Sequence, residues 1–388
     1  MSTENYPLAG LKVLDLSRVL AGPFAGRMLS DLGADVVKVE PPDGDITRLW
    51  GHVVAGIAGY YHQQNAGKRN VCIDLRAEGA KELLYELVAK ADILIENYRP
   101  DVMPRLGLGY DALNEINPRL IMLSISGFGR DGPESHRAAY APIIHAEAGL
   151  TYRQAQRSNL PYSELPLSVA DTNASLHGLV GLLAAVIHRH TTGVGQHIDI
   201  AMLDATIATD DQIHFDLENA NATNQPRIAA WETGAGPILV SADARYFWHC
   251  LSRKGLVVDP TTKDMTVEEK IPLRKNCMTE FMAGLSSLED VEETMSSMNL
   301  AWGRVGNPAE IQDQRTIRSR RSIVEIDDRA GGTRPITQSP YRFSGATSGV
   351  RGPAPHRGEH NDEILSEWLN KPDSDIEILI QAAILHAE

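Results

Sequence analysis

The chain has 388 residues, of which 43% are hydrophobic, and a formal net charge of −14. This length exceeds what one hydrophobic core usually supports, so we expect two domains. The acidic balance argues against a nucleic-acid partner, because phosphate binding needs clustered Lys and Arg, and the three widely spaced cysteines argue against a disulfide framework and a metal site.

The N-terminal half alternates short apolar runs with helical stretches. It begins with "MSTENYPLAG", which lacks the basic and apolar segments of a signal peptide, so we expect a cytoplasmic protein. Apolar runs typical of buried strands follow at 11–16, 35–40, 70–75, 92–97 and 119–127. Helical periodicity separates them, most clearly over 77–91. This alternation predicts an α/β fold with a doubly wound parallel sheet.

A long apolar helix is predicted within "ELPLSVADTNASLHGLVGLLAAVIHRH", residues 164–190. Its apolar part, 174–190, is interrupted by Ser175, His177 and Gly178. The interruptions favour a buried core helix over a membrane span, so we expect no membrane partner. A turn, a strand and a further helix are expected in the segment that follows, "TTGVGQHIDIAMLDATIATDD".

Asp171 is a lone carboxylate immediately before this predicted helix. Asp171, Thr172 and Asn173 are all common N-cap residues. The local sequence therefore allows two interpretations. Asp171 caps the helix, or it is a nucleophile held against the positive end of the helix dipole.

The sequence changes character after about residue 225. Residues 226–330 mix turn-rich segments with a charged helical stretch and predict a second, smaller domain. Strand-like segments then lead back to the main body. We therefore predict a large domain over 1–225, a small domain over 226–330, and a return to the large domain over 331–388.

Glycine-containing turns do not identify a nucleotide cofactor. "AGPFAG" (21–26) and "TGVGQH" (192–197) both depart from G-x-G-x-x-G, which argues against an NAD site. The sequence contains no G-x-x-x-x-G-K-[ST] and no G-x-S-x-G motif, which argues against a P-loop NTPase and the usual serine hydrolase. We expect no prosthetic group.

Two segments place basic residues at the ends of predicted strands. They are "NAGKRNVCIDLR" (65–76) and "ENYRPDVMPRLGLGYD" (96–111). Asn97 and Tyr98 directly follow a strand, and open α/β sheets bind ligands at the carboxyl ends of their strands. Arg side chains with backbone N–H groups suit phosphates, so we expect a phosphate-bearing ligand at this edge.

The chain resembles the family III CoA-transferases, the group that includes formyl-CoA:oxalate and carnitine-type CoA-transferases and the related α-methylacyl-CoA racemases. The resemblance runs almost end to end. Its blocks, in order, are "GLKVLDLSRVLAGPFAGRMLSDLGADVVKVEPPDGDITR", "NAGKRNVCIDLR", "ADILIENYRPDVMPRLGLGYDAL", "NPRLIMLSISGFGRDGP", "VADTNASLHGLVGLLAAV", "TGVGQHIDIAMLDA" and "SPYRFSG" with "APHRGEHNDEIL".

The resemblance implies a Rossmann-like large domain, a smaller α+β domain and two interlocked subunits, hence a homodimer. It implies transfer of coenzyme A from an acyl-CoA to a carboxylic acid, with the CoA thioester as substrate and Asp171 as the covalent nucleophile. The family's CoA and substrate contacts match Leu20, Ala21, Ile73, Asp74, Leu75, Arg76, Asn97, Tyr98, Arg105, Arg137 and Tyr140.

The chain departs from the family pattern at three places. A basic CoA contact of some relatives falls on Pro41, and an acidic residue that usually follows the tyrosine is Ala141. The glycine-rich closing loop of some transferases has only "TGAGP" (233–237) as a candidate. Two alternatives are kept open: a racemase-type proton transfer on the same fold, and a non-catalytic acyl-CoA-binding protein.

Overall fold

The computed structural model describes residues 5–218 and 228–387. The chain forms two compact units, Met1–Asp211 with Arg320–Glu388, and Gln212–Ser319. We call them the large unit and the small unit. The predicted boundary between residues 225 and 226 lies outside the described residues, and the division at 226–330 stays a prediction.

The strands, in chain order, are β1 (Lys12–Asp15), β2 (Asp35–Glu40), β3 (Val53–Val54), β4 (Ile57–Ala58), β5 (Arg69–Cys72), β6 (Ile93–Glu96), β7 (Ile121–Ser126), β8 (His197–Ala201), β9 (Ala230–Trp231), β10 (Ile238–Val240), β11 (Trp302–Arg304), β12 (Ile323–Asp327) and β13 (Thr333–Thr337).

The helices are α1 (Ala21–Asp31), α2 (Gly59–Asn65), α3 (Ala80–Val88), α4 (Val102–Arg105), α5 (Tyr110–Ile116), α6 (Ala141–Glu147), α7 (Leu150–Ser158), α8 (Val169–Thr192), α9 (Met202–Ala208), α10 (Ile213–Leu217), α11 (Ala244–Arg253), α12 (Val267–Ala283), α13 (Leu288–Ser297), α14 (Arg315–Arg320), α15 (Asn361–Leu369) and α16 (Asp373–Gln381).

A six-stranded parallel sheet organises the large unit, in the order β5-β2-β1-β6-β7-β8. The order reverses direction between β1 and β6, which is the topological switch of a doubly wound sheet. The crevice outside the carboxyl ends of the strands at such a switch is the usual ligand site. The predicted α/β fold with a large parallel sheet is confirmed.

Helices cover both faces of this sheet. Successive residues of a strand point to opposite faces, so neighbouring residues of β1 belong to different apolar clusters. Leu14 belongs to one apolar cluster, with residues of α3 and α15. Its neighbour Val13 belongs to the other cluster, with residues of α1 and α8. The covered faces explain why the central strands β6 and β7 are nearly continuous apolar runs rather than alternating ones.

Glycines bring α1 close to the end of β1. A Cβ at Gly22 would collide with Cβ of Ser17, and a Cβ at Gly26 would lie 2.6 Å from Oδ2 of Asp15. These two positions are glycine because the helix backbone passes directly over buried side chains. The close packing brings the start of α1 over the carboxyl end of the sheet.

Helix α8 is the one helix, among the described residues, with the length and apolar composition of a membrane span. Half of its most apolar window is buried inside the structure. Leu182 and Ala185 belong to the sheet core, whereas Val180 and Ile187 are exposed. A core helix passes the same length and composition test, so this finding is weak evidence for a membrane.

The small unit has its own core of mixed α/β structure. Strands β11, β10 and β9 form an antiparallel sheet. Phe247 of α11, Met282 of α12 and Val291 of α13 are fully buried in the cluster beside this sheet.

Candidate active site

A cavity of about 330 Å³ opens at the carboxyl ends of β1, β6 and β7, where the strand order reverses. We call it the switch cavity. Its wall includes residues that follow each of these three strands. It brings together six of the residues predicted from the sequence, namely Ala21, Asn97, Tyr98, Arg137, Tyr140 and Asp171.

Asp171 lies inside the first turn of α8, not before the helix. The predicted helix start at residue 174 was wrong, because α8 begins at Val169. Ser168 occupies the N-cap position, and its side chain makes no capping hydrogen bond. The interpretation of Asp171 as the N-cap residue is therefore wrong as well. As a first-turn carboxylate it still lies near the positive end of the helix dipole.

The Asp171 carboxylate is buried but is reached by backbone donors from three helices. It is 8% exposed, and burial raises its pKa to about 6, because desolvation disfavours the charged form. Backbone N–H groups of Ala21, of Asp171 itself and of Ala141 lie near the carboxylate and lower its pKa in part. Ala21 and Ala141 are the first residues of α1 and α6.

Three helix N-termini thus converge on one carboxylate, an arrangement that suits an anion. Position 141, where the resemblance leads one to expect an acidic side chain, is alanine and contributes only its backbone N–H near the carboxylate. The result is a carboxylate that ionises near neutral pH and lies on a cavity wall. Such a group is a candidate nucleophile.

Ser175 connects α8 to the first residue of α1. Its hydroxyl donates to the carbonyl oxygen of Ala21 and lies 2.8 Å from the carbonyl oxygen of Asp171, one turn earlier. The side chain is fully buried. It holds the Ala21 peptide against the same turn of α8 that carries Asp171.

A second cavity, of about 470 Å³, lies along the ends of β1, β2 and β5. We call it the outer cavity. It contains the predicted segment Ile73–Arg76 and also Pro41. Arg18, Tyr98 and Val102 line both cavities. The two spaces therefore meet at these three side chains.

The remaining predicted residues lie around these cavities with differing exposure. Leu20 is buried at the N-cap position of α1. Arg105 has its side chain 66% exposed and paired with Asp101 at 3.0 Å. In the described part of the chain, the walls of both cavities are formed without Leu20 and Arg105.

Arg137 and Tyr140 line the switch cavity in different electrostatic settings. Glu134 and Glu147 pair with the Arg137 guanidinium at 3.0 and 2.7 Å and raise its pKa. The same guanidinium stacks 4.5 Å over the ring of Phe128. Tyr140 is 56% exposed, so its hydroxyl is open to a ligand or to solvent.

The segment "TGAGP" forms a tight turn in the small unit. The hydroxyl of Thr233 donates to the carbonyl of Gly236, whose φ of 98° favours glycine. A Cβ at Gly234 would lie 2.9 Å from the backbone of Ser286. Close packing thus accounts for Gly234 and the positive φ for Gly236, and the segment as a closing loop stays a prediction.

Sequence reasoning missed several residues of the site. Arg18 lines both cavities, and Arg99 lines the switch cavity. Tyr60 is half-buried; burial and then the charge of Asp171 raise its pKa to about 12. The position of Arg18 directly after β1 was the available signal, because strand ends at the sheet edge carry ligand contacts. Nothing in the sequence connects Tyr60 with Asp171.

A profile of the family described as "CoA-transferase family III" matches residues 8–361. The chain belongs to this family. The match covers both units of the structure. The residue blocks on which the resemblance was first drawn lie within the matched range or at its end.

Relatives with assigned names are similar to this chain over half of its length or more. A succinate–glutarate CoA-transferase from Agrobacterium fabrum is 31% identical over 390 residues, which are 95% of this chain and 97% of that protein. An acetyl-CoA:oxalate CoA-transferase from Acetobacter aceti is 42% identical over 203 residues, 52% of each protein. The crystal structure of a CAIB/BAIF family protein from Brucella suis matches with a TM-score of 0.79 and 30% identity, over 94% of this chain and all of that one.

The chain is therefore an enzyme that transfers coenzyme A between an acyl-CoA and a carboxylic acid. The site also bears on the racemase alternative, which needs two bases at the substrate α-carbon. Besides Asp171 and the arginines, the titratable side chains that the described residues contribute to the switch cavity are Tyr98 and Tyr140. The place of the racemase His-Asp pair is occupied by Tyr140 and Ala141.

Proposed function

We propose that Asp171 is the covalent nucleophile of this CoA-transferase. One observation carries the proposal: a buried carboxylate with a pKa of about 6 lies on the wall of the switch cavity, where three helices begin. At neutral pH it is largely ionised, so its oxygen can attack a thioester. The backbone N–H groups of Ala21 and Ala141 are positioned to stabilise negative charge at the same place.

The reaction follows from this arrangement in four steps. Asp171 attacks the thioester carbonyl of the donor and expels CoA thiolate, which leaves a mixed anhydride. The thiolate attacks the aspartyl carbonyl, releases the donor acid and forms an aspartyl-CoA thioester. The acceptor carboxylate attacks this thioester and again expels the thiolate. The thiolate finally attacks the acceptor's acyl carbonyl, forms the new acyl-CoA and restores the Asp171 carboxylate.

We propose that CoA lies across both cavities. The nucleotide would occupy the outer cavity beside Ile73–Arg76, and the pantetheine arm would pass Arg18, Tyr98 and Val102 towards Asp171. Support comes from the shared walls of the two cavities and from their place along the ligand edge of the sheet. Pro41 in the outer cavity implies that the nucleotide is held without the basic contact that some relatives have at this position.

We propose a short dicarboxylic acid as the acyl group. The two curated relatives described above are named for succinate, glutarate and oxalate. Arg137 in the switch cavity is paired with Glu134 and Glu147, but Arg18 and Arg99 add two further guanidinium groups against the single carboxylate of Asp171. An acid with a second carboxylate would match that charge balance. Initial rates with succinate and with butyrate as acceptors test this, and equal rates would contradict it.

The enzyme is proposed to be an interlocked homodimer. Leu176, Val180 and Ile187 on α8 are 46%, 68% and 68% exposed and lie on one face of the helix. An apolar face of this kind is usually covered by another protein surface. A second copy of the chain is the proposed cover.

A pair of aspartate variants tests the nucleophile. Asp31 is a matched control, because it is also buried with a pKa raised to about 6 but pairs with Arg27 away from the switch cavity. Asp171→Asn is expected to remain folded and bind CoA without transferring it, because an amide does not attack a thioester. Asp31→Asn is expected to keep transferase activity. Full activity of Asp171→Asn, with deamidation excluded by mass spectrometry, would refute the proposal.

A second pair tests the dimer. His188 is an exposed polar residue about 90° around α8 from the apolar face. Sedimentation at nanomolar concentration is expected to show dimer for the wild type and for His188→Glu, and dissociated or aggregated protein for Val180→Glu. A monomeric wild-type protein would contradict the proposed homodimer.

A further inference from the structure

The turn between β1 and α1, residues Ser17–Leu20, has a strained backbone. Val19 has a φ of 68°, in the left-handed region that favours glycine. A β-branched residue rarely adopts this conformation, and such residues persist only where the surrounding structure holds them. The turn runs along both cavities, since Ser17 and Arg18 line the outer one, and Arg18 and Val19 line the switch cavity.

Buried charged side chains hold this turn by its backbone. Oδ2 of Asp45 accepts a hydrogen bond from the Val19 N–H at 3.1 Å. Nζ of Lys38 donates to the carbonyl oxygen of Ser17 at 2.7 Å and lies 3.3 Å from Oδ2 of Asp45. The Asp45 and Lys38 side chains are each 1% exposed. Asp45 and Lys38 thus form a buried ion pair, and both side chains hydrogen-bond to the backbone of the same four-residue turn.

The Asp45 carboxylate has a second set of contacts that fixes its orientation. Its Oδ1 accepts from the backbone N–H and the hydroxyl of Thr47 at 3.0 and 2.9 Å. Burial raises the pKa of Asp45, but Lys38 and the hydrogen bonds from Thr47 and Val19 outweigh it, so the pKa lies below its ordinary value. Asp45 is therefore a fixed anion with one oxygen directed at Val19.

The turn ends at the residue that touches the nucleophile. Ala21 follows Leu20 as the first residue of α1 and lines the switch cavity with Asp171, whose pKa its backbone N–H lowers. Its carbonyl accepts from Ser175 of α8. The direction of the Ala21 N–H thus depends on the backbone path through Val19, because the two residues are separated by Leu20 alone.

We propose that Asp45, with Lys38, is a positioning residue of the transferase: it clamps the strained turn at Val19 so that the Ala21 N–H stays directed at Asp171 in the switch cavity. The proposal rests on the proposed role of Asp171 as nucleophile. Asp45 itself touches neither the nucleophile nor the reacting atoms. Asp45 and Lys38 also line the outer cavity, so the test below uses saturating acyl-CoA. The proposed effect on the reacting atoms runs through the backbone of residues 17–21.

The clamp makes a directional prediction for the pH profile. Losing the Ala21 N–H would remove a donor that lowers the pKa of Asp171, so that pKa would rise. Removing the negative charge of Asp45, one of three carboxylates near Lys38, would instead lower the pKa of Asp171 through space. The other ionisable or charged side chains of the switch cavity are Arg18, Arg99, Arg137, Tyr98 and Tyr140, with Tyr60 and His145 nearby, and all stay unchanged in the variants below.

The experiment compares Asp45→Asn with Asp31→Asn in the full-length enzyme. Asn cannot accept from both Val19 and Thr47 in the original geometry, because one carboxylate oxygen becomes an NH₂ group. Asp31→Asn removes an equally buried ion-paired carboxylate that does not touch the turn. The readout is the single-turnover rate of adduct formation at Asp171 across pH and at saturating acyl-CoA, measured by quenched mass spectrometry on the folded enzyme.

The clamp predicts that Asp45→Asn slows adduct formation by roughly 10- to 100-fold and shifts its acid limb to higher pH. Asp31→Asn is expected to stay within about twofold of wild type with an unshifted limb. A limb that moves to lower pH, or no change of rate and limb in Asp45→Asn, would overturn the proposal. Absence of any adduct at Asp171 in the wild type would overturn the nucleophile instead.

A double-mutant cycle with Val19→Gly keeps the test independent of folding defects. Glycine adopts a positive φ without strain, so the turn needs the clamp less. The cost of Asp45→Asn is expected to be at least about threefold smaller in the Val19→Gly background than in the wild-type background. Equal costs in both backgrounds would contradict a clamp that acts through Val19.

Discussion

Replacing Asp171 with Asn is expected to stabilise the protein at neutral pH while abolishing transfer. Burial raises the pKa of Asp171 from 3.8 to about 6, so the folded state resists its ionisation. At ~1.4 kcal/mol per pKa unit, the ionised carboxylate costs roughly 3 kcal/mol of unfolding free energy. Asn resembles the protonated acid in shape and in having one acceptor and one donor group, so it avoids that cost.

The pH dependence follows from the direction of the shift. Because the folded-state pKa lies above the unfolded one, wild-type stability falls as pH rises from about 4 to about 6 and stays lower above that. The Asn variant does not lose this stability, because residue 171 no longer ionises. The stability difference should therefore grow from near zero at pH 4 to roughly 3 kcal/mol at pH 7.5, and other titrating groups cancel because both proteins contain them.

Thermal unfolding measures this difference. With an unfolding entropy of ~2.1 cal/mol/K per residue, roughly 3 kcal/mol corresponds to about 4 °C in Tm for a chain of this length. Glu377→Gln, at an exposed carboxylate on α16, is the control and is expected to leave Tm within about 1 °C. A Tm gap that does not change between pH 4.5 and 7.5, or an Asn variant that melts below wild type at pH 7.5, would refute the reasoning.

Three further predictions concern the rate, the ligand and the packing. Adduct formation in the wild type is expected to decline below pH 6 as Asp171 becomes protonated, and a rate independent of pH between 5 and 8 would contradict this. Arg18→Gln is expected to weaken CoA binding by about 1–3 kcal/mol in calorimetry, and more than Arg105→Gln, because Arg18 lines both cavities. Gly22→Ala is expected to lower the unfolding free energy, measured by denaturation, by roughly 1–3 kcal/mol, because the new Cβ would collide with Ser17. Gly352→Ala has open space around its Cβ and should be nearly neutral in the same experiment.

The sheet was predictable because its strands are buried on both faces. The run at 35–40 is apolar apart from its ends and Lys38, and the structure has β2 at Asp35–Glu40. Continuous apolar runs separated by helical periodicity leave few alternatives to a parallel sheet. The nucleophile candidate could also be identified from the sequence, since Asp171 is the carboxylate at the start of the most apolar helix.

The start of α8 and the partner of Lys38 depend on tertiary contacts and could not be predicted from the sequence. The start of α8 was predicted at residue 174 because polar residues 171–173 resemble caps, but the helix extends back to Val169, where Ala170 packs in the core. Burial of Ala170 in the core outweighed the low helix propensity of the polar residues that follow it. Lys38 is likewise a charged residue in an apolar strand, and its partner Asp45 lies on a loop seven residues further along. A pairing of this kind depends on the path of the loop.

The central claim is a covalent bond to Asp171, and mass spectrometry of the quenched enzyme tests it most directly. The wild-type enzyme is mixed with succinyl-CoA, quenched with hydroxylamine, digested and mapped, with Asp171→Asn treated in parallel. We expect a hydroxamate at Asp171 in the wild type, formed from the activated aspartyl carbonyl, and unmodified residue 171 in the variant. Rapid CoA transfer by a wild-type enzyme whose Asp171 peptide stays unmodified, or a label at another carboxylate, would contradict the account.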